Sequence, residues 1–172
     1  MKRIAIDMDG VLADVYSQFV KMHKAEFGVI VSAEEMTGKP EHGAFPNLLQ
    51  YVNSPGFFRH APVMQDAVKI VQQLNDRYQV FIVSAAMEFP GSLPEKQAWL
   101  NQFFPFIGWQ QMVFCGSKEI IKADIMIDDH FKNLDYFDGE TLLYTQPHNK
   151  NANAHVHKRV NNWAEIEGLL LR

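Results

Sequence analysis

Apolar positions along the chain follow two alternating periods. Lys2-Arg3-Ile4-Ala5-Ile6 is a short apolar run that stops at Asp7, which is the pattern of a buried strand. Leu12, Val15, Tyr16, Phe19, Val20, His23 and Phe27 then recur at helical spacing, and Gly28 stands where such a helix would be capped. Ser32 and Glu35 have the spacing of a capping box for another short helix. From Thr37 to Pro62 the period breaks up into Gly, Pro and aromatic residues, among them Phe45, Tyr51, Phe57 and Phe58, which predicts a small, mainly helical insertion.

The stripe Val63, Ala67, Ile70, Val71 and Leu74 predicts an amphipathic helix, and Gln79 to Ser84 a buried strand. Ser92, with Pro94 in the first turn and Glu95 three residues on, reads as the cap of a helix running through Trp99, Leu100 and Phe103. Met112–Cys115, Ala123–Asp128 and Thr141–Tyr144 are three more strands, and Asn162 with Glu165 opens a last helix whose apolar face is Trp163, Ile166, Leu169 and Leu170. Gln146 to Arg159 is polar and reads as a solvated loop; its His155 and His157 have no acidic or cysteine ligand nearby, so a metal site is not expected there.

Strands separated by helices imply an α/β fold with a doubly wound parallel sheet, whose ligands bind beyond the carboxyl ends of the strands. The expected division is a catalytic core of residues 1–14 and 63–172 and a small helical cap of residues 15–62. Asp7, Ser84 and Asp128 end three of the predicted strands, and Lys118 closely follows a fourth.

Composition narrows the class. A length of 172 residues with 47% hydrophobic content suffices for one core with a small insertion. The first apolar stretch is cut at Asp7, too short for a signal sequence, and no stretch approaches a membrane span, so a soluble cytoplasmic protein is expected. The single Cys115 excludes an internal disulfide and reads as a buried strand-end residue. A net charge of -4 argues against a nucleic-acid polymer as partner, whereas a small anionic ligand needs only local positive charge.

The candidate chemistry starts at Asp7 and Asp9. In an extended segment these side chains point to one side while Met8 turns away, and two like charges so close require a cation, a proton or hydrogen bonds to compensate them. A calcium-binding helix-loop-helix also opens Asp-x-Asp, but its fifth and twelfth positions would here be Val11 and Gln18, which cannot supply the further acidic ligands. Two carboxylates, a hydroxyl, an ammonium and the second pair Asp128-Asp129 are the parts that phosphoryl transfer uses: a nucleophile, a proton donor, a clamp for the phosphate oxygens and ligands for Mg²⁺.

These residues resemble the haloacid dehalogenase superfamily of phosphohydrolases. Asp7-Met8-Asp9-Gly10-Val11 is similar to its first motif, Ile82-Val83-Ser84 to its second, Lys118 to its third and Ile127-Asp128-Asp129 to its fourth. Pro55-Gly56-Phe57-Phe58, Glu95-Lys96 with Trp99, His148-Asn149, and Asn162-Trp163 with Glu165-Ile166 extend the resemblance to the 5'(3')-deoxyribonucleotidases over nearly the whole chain.

The resemblance implies that Asp7 attacks phosphorus and forms an aspartyl-phosphate, and that Asp9 protonates the leaving oxygen and then activates water. It also implies a Mg²⁺ held by the Asp7 side chain, the Asp9 carbonyl and Asp128, with Asp129 supporting those ligands and Ser84 and Lys118 binding phosphate oxygens. The implied substrate is a deoxyribonucleoside monophosphate, and many family members are homodimers, although no stretch here marks an interface. Two positions depart from the family: Ser84-Ala85-Ala86 stands where vertebrate members have Thr-Ser-Pro, and Val15 where an aromatic is expected.

Phe45, in a stretch without helical period, is a candidate for stacking on a base, whereas Tyr16, Phe19 and Phe27 read as core of the insertion. Two alternatives remain. One is a phosphatase of the same superfamily acting on another small phosphomonoester. The other is a non-enzymatic phosphoacceptor receiver domain, which motif order disfavours because a receiver places its acidic pair before the acceptor. A catalytically dead binding protein of this fold would not need the intact set.

Overall fold

The structure is a computed structural model describing residues 1–172. Six strands form one sheet: β1 (Arg3–Ile6), β2 (Gln79–Ser84), β3 (Met112–Phe114), β4 (Ile125–Asp128), β5 (Glu140–Tyr144) and β6 (Lys158–Val160). All neighbours are parallel, in the order β3-β2-β1-β4-β5-β6. The chain builds outward from β1 to β3 and then returns to the other side of β1 with β4. The order of strand addition therefore reverses between β1 and β4, the point at which an open α/β sheet leaves a crevice.

Period-2 alternation divides the core. Ile4 and Ile6, Ile125 and Ile127, and Leu142 and Tyr144 join the large apolar cluster, whereas Ala5, Met126 and Leu143 join a smaller one. With both faces covered, the inner strands read as unbroken apolar runs, and every residue of β4 is buried. The large cluster takes in Ile70, Val71 and Leu74 of α5 (Ala67–Arg77), Trp99 and Leu100 of α6 (Ser92–Phe103), and Trp163 and Ile166 of α8 (Trp163–Leu170). The smaller cluster is closed by Leu134 of the short α7 (Phe131–Leu134).

Four helices lie between β1 and α5: α1 (Val15–Phe27), α2 (Ala33–Met36), α3 (Glu41–Ala44) and α4 (Leu48–Val52). They form the small helical cap inserted after the first strand. Gly28 ends α1 at φ 70°, donating to the Lys24 carbonyl, and the Ser32–Glu35 capping box forms in full. Where the chain leaves and re-enters the core its two passages are bonded: Asp14 N–H donates to the Pro62 carbonyl at 2.7 Å and Met64 N–H to that of Leu12 at 2.8 Å.

Two expectations need correction. Ser92 is not the cap of α6: Gly91 holds that position, Ser92 begins the helix, and the Glu95 carboxylate is drawn away to backbone donors at Gly56, Phe58 and Arg59. The segment 146–159 is not simply a solvated loop. Its last two residues begin β6, which pairs with β5, and Gln146, Asn149 and His157 are buried. Arg159 secures it by donating to Asn149 Oδ1 at 3.0 Å and to the Ala152 carbonyl at 2.8 Å.

Candidate active site

β1 and β4 run side by side in register, so Asp7 emerges next to Asp128, with the Asp7 N–H on the Ile127 carbonyl at 2.9 Å. Beyond Asp7 the chain turns sharply. Leu12 and Ala13 N–H both donate to the Met8 carbonyl at 2.9 Å, and Gly10 takes φ 80°. A Cβ on Gly10 would stand 2.5 Å from Asp129 Oδ2, so the glycine permits both the turn and the approach of the second acidic pair. Met8 is wholly buried while Asp7 and Asp9 face one cavity, as the alternation predicts.

That cavity, of about 220 Å³, is floored by Asp7, Asp9, Ser84, Lys96, Lys118 and Asp129. Lys118 is buried and bridges two carboxylates, donating to Asp7 and, at 2.6 Å, to Asp128 Oδ2. Asp128 is fully buried and also accepts from His130 N–H at 2.9 Å and from Asn133 Nδ2 at 3.0 Å. Lys96, equally buried, pairs with Asp9 and donates to Ser84 Oγ at 3.0 Å. No local pattern places Lys96 or Asn133 here, because a lysine or asparagine within a helix reads as a surface residue.

Four carboxyl groups thus face two ammonium groups, a formal excess of two negative charges if all four are ionised. Burial pushes the Asp7 carboxyl up to about 8 in spite of Lys118, with Asp128, Asp129 and Asp9 adding to the rise. Burial, then Asp128 and Glu41, raise Asp129 well above the carboxylate range, whereas Asp7 and Asp128 hold Lys118 firmly protonated against its own burial. Oxygens of Asp7, Asp128 and Asp129 lie within 4.8 Å of one another, and Asp129 Oδ1 is buried with no hydrogen-bond partner. Hard oxygen donors, an excess of two charges and an orphaned carboxylate oxygen together fit one divalent cation.

Phe19, Leu48, Val52, Phe57, Phe58 and Phe89 form the apolar wall, supplied mostly by the cap. Phe45 is absent from it: the ring is wholly buried and stacks behind Phe19 at 5.2 Å. The expected base contact is therefore cap core, and Phe19, expected to be core, borders the cavity together with Tyr16; Phe27 is half exposed.

At the rim, His148 donates Nε2–H to the Asp129 carbonyl at 2.9 Å, and its Nδ1 lies 2.8 Å from the Tyr16 hydroxyl, which in turn bonds Glu41 at 3.0 Å. Burial and the nearby His130 lower the affinity of His148 for a proton. His130 and His148 stack at 4.3 Å with planes only 13° apart. Their lone pairs therefore lie in nearly parallel planes, and one ion cannot occupy both. The group bonds cap to core. His155 is exposed, and His157 turns to Thr141 and to Asp135, an acidic neighbour 22 positions away that the local sequence does not show.

A family model described as "5' nucleotidase, deoxy (Pyrimidine), cytosolic type C protein" matches residues 1–172. The chain belongs to this family. The 5'(3')-deoxyribonucleotidase of Bacillus subtilis is 38% identical over 173 residues, covering 99% of each chain. A relative from Staphylococcus epidermidis is 40% identical over 172 residues, or 96% of this chain and 94% of that one.

In fold the chain is similar to a haloacid dehalogenase-like hydrolase from Streptococcus pneumoniae, with a TM-score of 0.67 at 13% identity over 98% of both chains. It is also similar to a B. subtilis hydrolase of that type bound to magnesium, with a TM-score of 0.62 at 12% identity over 99% of both. Membership makes the protein a phosphoric monoester hydrolase of the nucleotidase type. No helix is long and apolar enough to cross a membrane.

The family-like residues outside the acidic motifs have physical roles. Asn149 Nδ2 donates to the carbonyls of Asp129 and Tyr144 at 2.8 Å, Trp163 Nε1 to that of Val11 at 2.9 Å and Trp99 Nε1 to that of Ala61 at 2.8 Å. The first two tie down the loops that follow Asp128 and Asp7, and the third ties the returning end of the cap to α6.

Proposed function

We propose that the protein hydrolyses deoxyribonucleoside monophosphates, with Asp7 as nucleophile. The observation that carries the reading is the buried Asp7–Lys118–Asp128 bridge at the reversal point of the sheet, opening on a cavity walled by cap aromatics. Names borne by relatives supply the substrate class.

Asp7, Asp128 and Asp129, or the Asp9 carbonyl in place of Asp129, would hold Mg²⁺. Bound there, the ion would neutralise the excess carboxylate charge and polarise a phosphate oxygen. Lys96, Lys118, Ser84 and Asn133 offer donors to the remaining oxygens. An Asp7 oxygen attacks phosphorus as the ester oxygen departs with a proton from Asp9, leaving a phosphoryl group on Asp7. Water then attacks that phosphorus, gives its proton to Asp9, and phosphate and Asp7 separate.

Asp9 is not free in this state, because its side chain is paired with Lys96. An arriving phosphate dianion competes for Lys96 and leaves Asp9 beside negative charge, where the protonated form is favoured. Proton donation is thereby tied to occupancy of the phosphate site. Residues 15–62 act as a cap over this site. Its aromatic wall suits a base, and a wall packed on the sugar tolerates a missing 2'-hydroxyl better than one buried without a partner.

Phosphate release with Mg²⁺ should be fastest for deoxyuridine and deoxythymidine monophosphates, slower for the ribonucleotides and slowest for sugar phosphates. Equal kcat/KM across the panel would leave a phosphatase of some other small phosphomonoester. Full activity after exhaustive chelation would overturn the metal assignment.

A further inference from the structure

Helix α6 grips three parts of the molecule within two turns. Glu95 Oε1 accepts the Gly56 N–H at 2.6 Å, and its Oε2 accepts those of Phe58 and Arg59 at 3.1 Å each. Lys96 reaches in another direction, to Asp9 and Ser84. One turn later Trp99 holds the Ala61 carbonyl. The helix is therefore bonded to both the phosphate end of the cavity and the segment that forms part of its wall.

The gripped turn carries Phe57 and Phe58, which both line the cavity, and the Phe58 ring sits 4.5 Å from Lys96 Nζ. Three backbone N–H groups converging on one carboxylate form a fixed anion-binding concavity. Its shape depends on Gly56, whose φ of 87° suits glycine and whose Cβ would lie 2.8 Å from the His60 ring. Nothing places Glu95 itself in the cavity: it is absent from the lining and touches only backbone. A residue that binds no substrate but uses both its oxygens to fix an aromatic wall bears on which substrates fit.

We infer that Glu95 is a positioning residue that sets substrate selectivity, holding the Gly56–Arg59 turn so that Phe57 and Phe58 stand as a rigid wall at a fixed distance from the phosphate. This rests on the nucleotidase reading above. The charge matters as well as the shape, because glutamine has one oxygen and its NH₂ would face backbone N–H groups. Since Lys96 follows directly on the same helix, wall and phosphate cradle move as one body. A ligand with an apolar ring correctly spaced from its phosphate gains from this rigidity, and a small ester gains nothing.

The test compares Glu95→Gln with the wild type on deoxyuridine monophosphate and on glycerol 2-phosphate, with Mg²⁺. For the nucleotide KM should rise at least about tenfold while kcat stays within about twofold, since loosened placement is felt chiefly as lost binding of the ring. For glycerol 2-phosphate kcat/KM should stay within about twofold. Glu95→Asp keeps the charge on a shorter arm and should recover part of the nucleotide KM; it also serves if the glutamine variant does not fold.

Phe58→Leu should raise the nucleotide KM by itself, and adding Glu95→Gln to it should multiply the loss by less than in the wild type, because both act through one ring. A fall by the same factor on both substrates would make Glu95 a general structural support and overturn the inference. A selective wild type whose folded Glu95→Gln is equally selective overturns it too, with the nucleotidase reading intact. A wild type that does not prefer the nucleotide overturns that reading and this inference together.

Discussion

Replacing Lys118 by methionine removes the one ammonium held among Asp7, Asp128 and Asp129, while filling a similar volume. Lys118 is only 4% exposed and bonds two carboxylates, so the variant strands charge where water cannot reach it. Unit charges about 4 Å apart attract by roughly 4 kcal/mol at an effective dielectric of about 20, and two such attractions are lost against the regained cost of burying the ammonium. Deleting one partner of a buried pair costs about 3–5 kcal/mol. At about 2–4 °C per kcal/mol for a chain of this size, the melting temperature in chelator should fall by roughly 6–20 °C.

The loss should depend on pH in a definite direction. Asp7 titrates near 8 in the folded protein and near 3.8 unfolded, so between those values the folded state binds more protons. Its contribution to stability is fully present below about 3.8 and fades as pH rises through about 8. Without Lys118 the proton is held more tightly still, which carries the decline to higher pH. Saturating Mg²⁺ should restore part of the stability, about 2.7 kcal/mol at a hundredfold excess over its Kd. Thermal unfolding followed by circular dichroism at pH 6 and pH 9, with and without chelator, reads all of this. A variant that melts with the wild type at pH 9 in chelator would refute the charge argument.

Three other substitutions test the site piece by piece. Asp7→Asn should cut turnover by at least ~10³-fold, about 4 kcal/mol of barrier, with the fold retained, and a folded variant of near-normal activity would exclude covalent catalysis at this residue. Gly10→Ala forces a Cβ against Asp129 and strains a left-handed backbone, so it should cost about 1–3 kcal/mol in thermal unfolding and weaken Mg²⁺ binding measured by calorimetry. Phe45→Ala should lower stability by about 3–5 kcal/mol, whereas Phe89→Ala, at a half-buried wall position, should raise the nucleotide KM with a far smaller effect on melting; the reverse pattern would put Phe45 back in the substrate site.

The sheet was legible because the inner strands are covered on both faces and so spell out apolar runs that end in reactive side chains. β6 was not, being a three-residue edge strand, Lys158-Arg159-Val160, with no period to show. Asp7, Asp9, Ser84, Lys118 and the Asp128-Asp129 pair could be gathered because each follows a strand, and topology sends strand ends to one edge. Lys96 follows no strand and meets Asp9 across 87 positions of sequence, so only its neighbour Glu95 and the family resemblance marked it. For the aromatics, periodicity shows that a residue lies on the inner side of a helix but not whether a second ring stands between it and the cavity. Phe19 and Phe45 exchange roles for that reason.

The residues that stabilise the loops follow from the same geometry. Beyond its carboxyl edge a parallel sheet offers no further ladder partners, so loops bearing Asp7 and the Asp128-Asp129 pair carry carbonyls that must find donors elsewhere. They find them in long or amide-bearing side chains far off in sequence: Trp163 for Val11, Gln146 for Gly10, and Asn149 with His148 for Asp129. An indole, an amide or an imidazole can cross from a helix or neighbouring loop as a donor without bringing charge into the site. These are the residue types found at each point. Glu95 is the complementary case, an acceptor serving a turn with three N–H groups to satisfy, and its charge is tolerated because it lies outside the cavity that Asp7 and Asp9 already fill with negative charge.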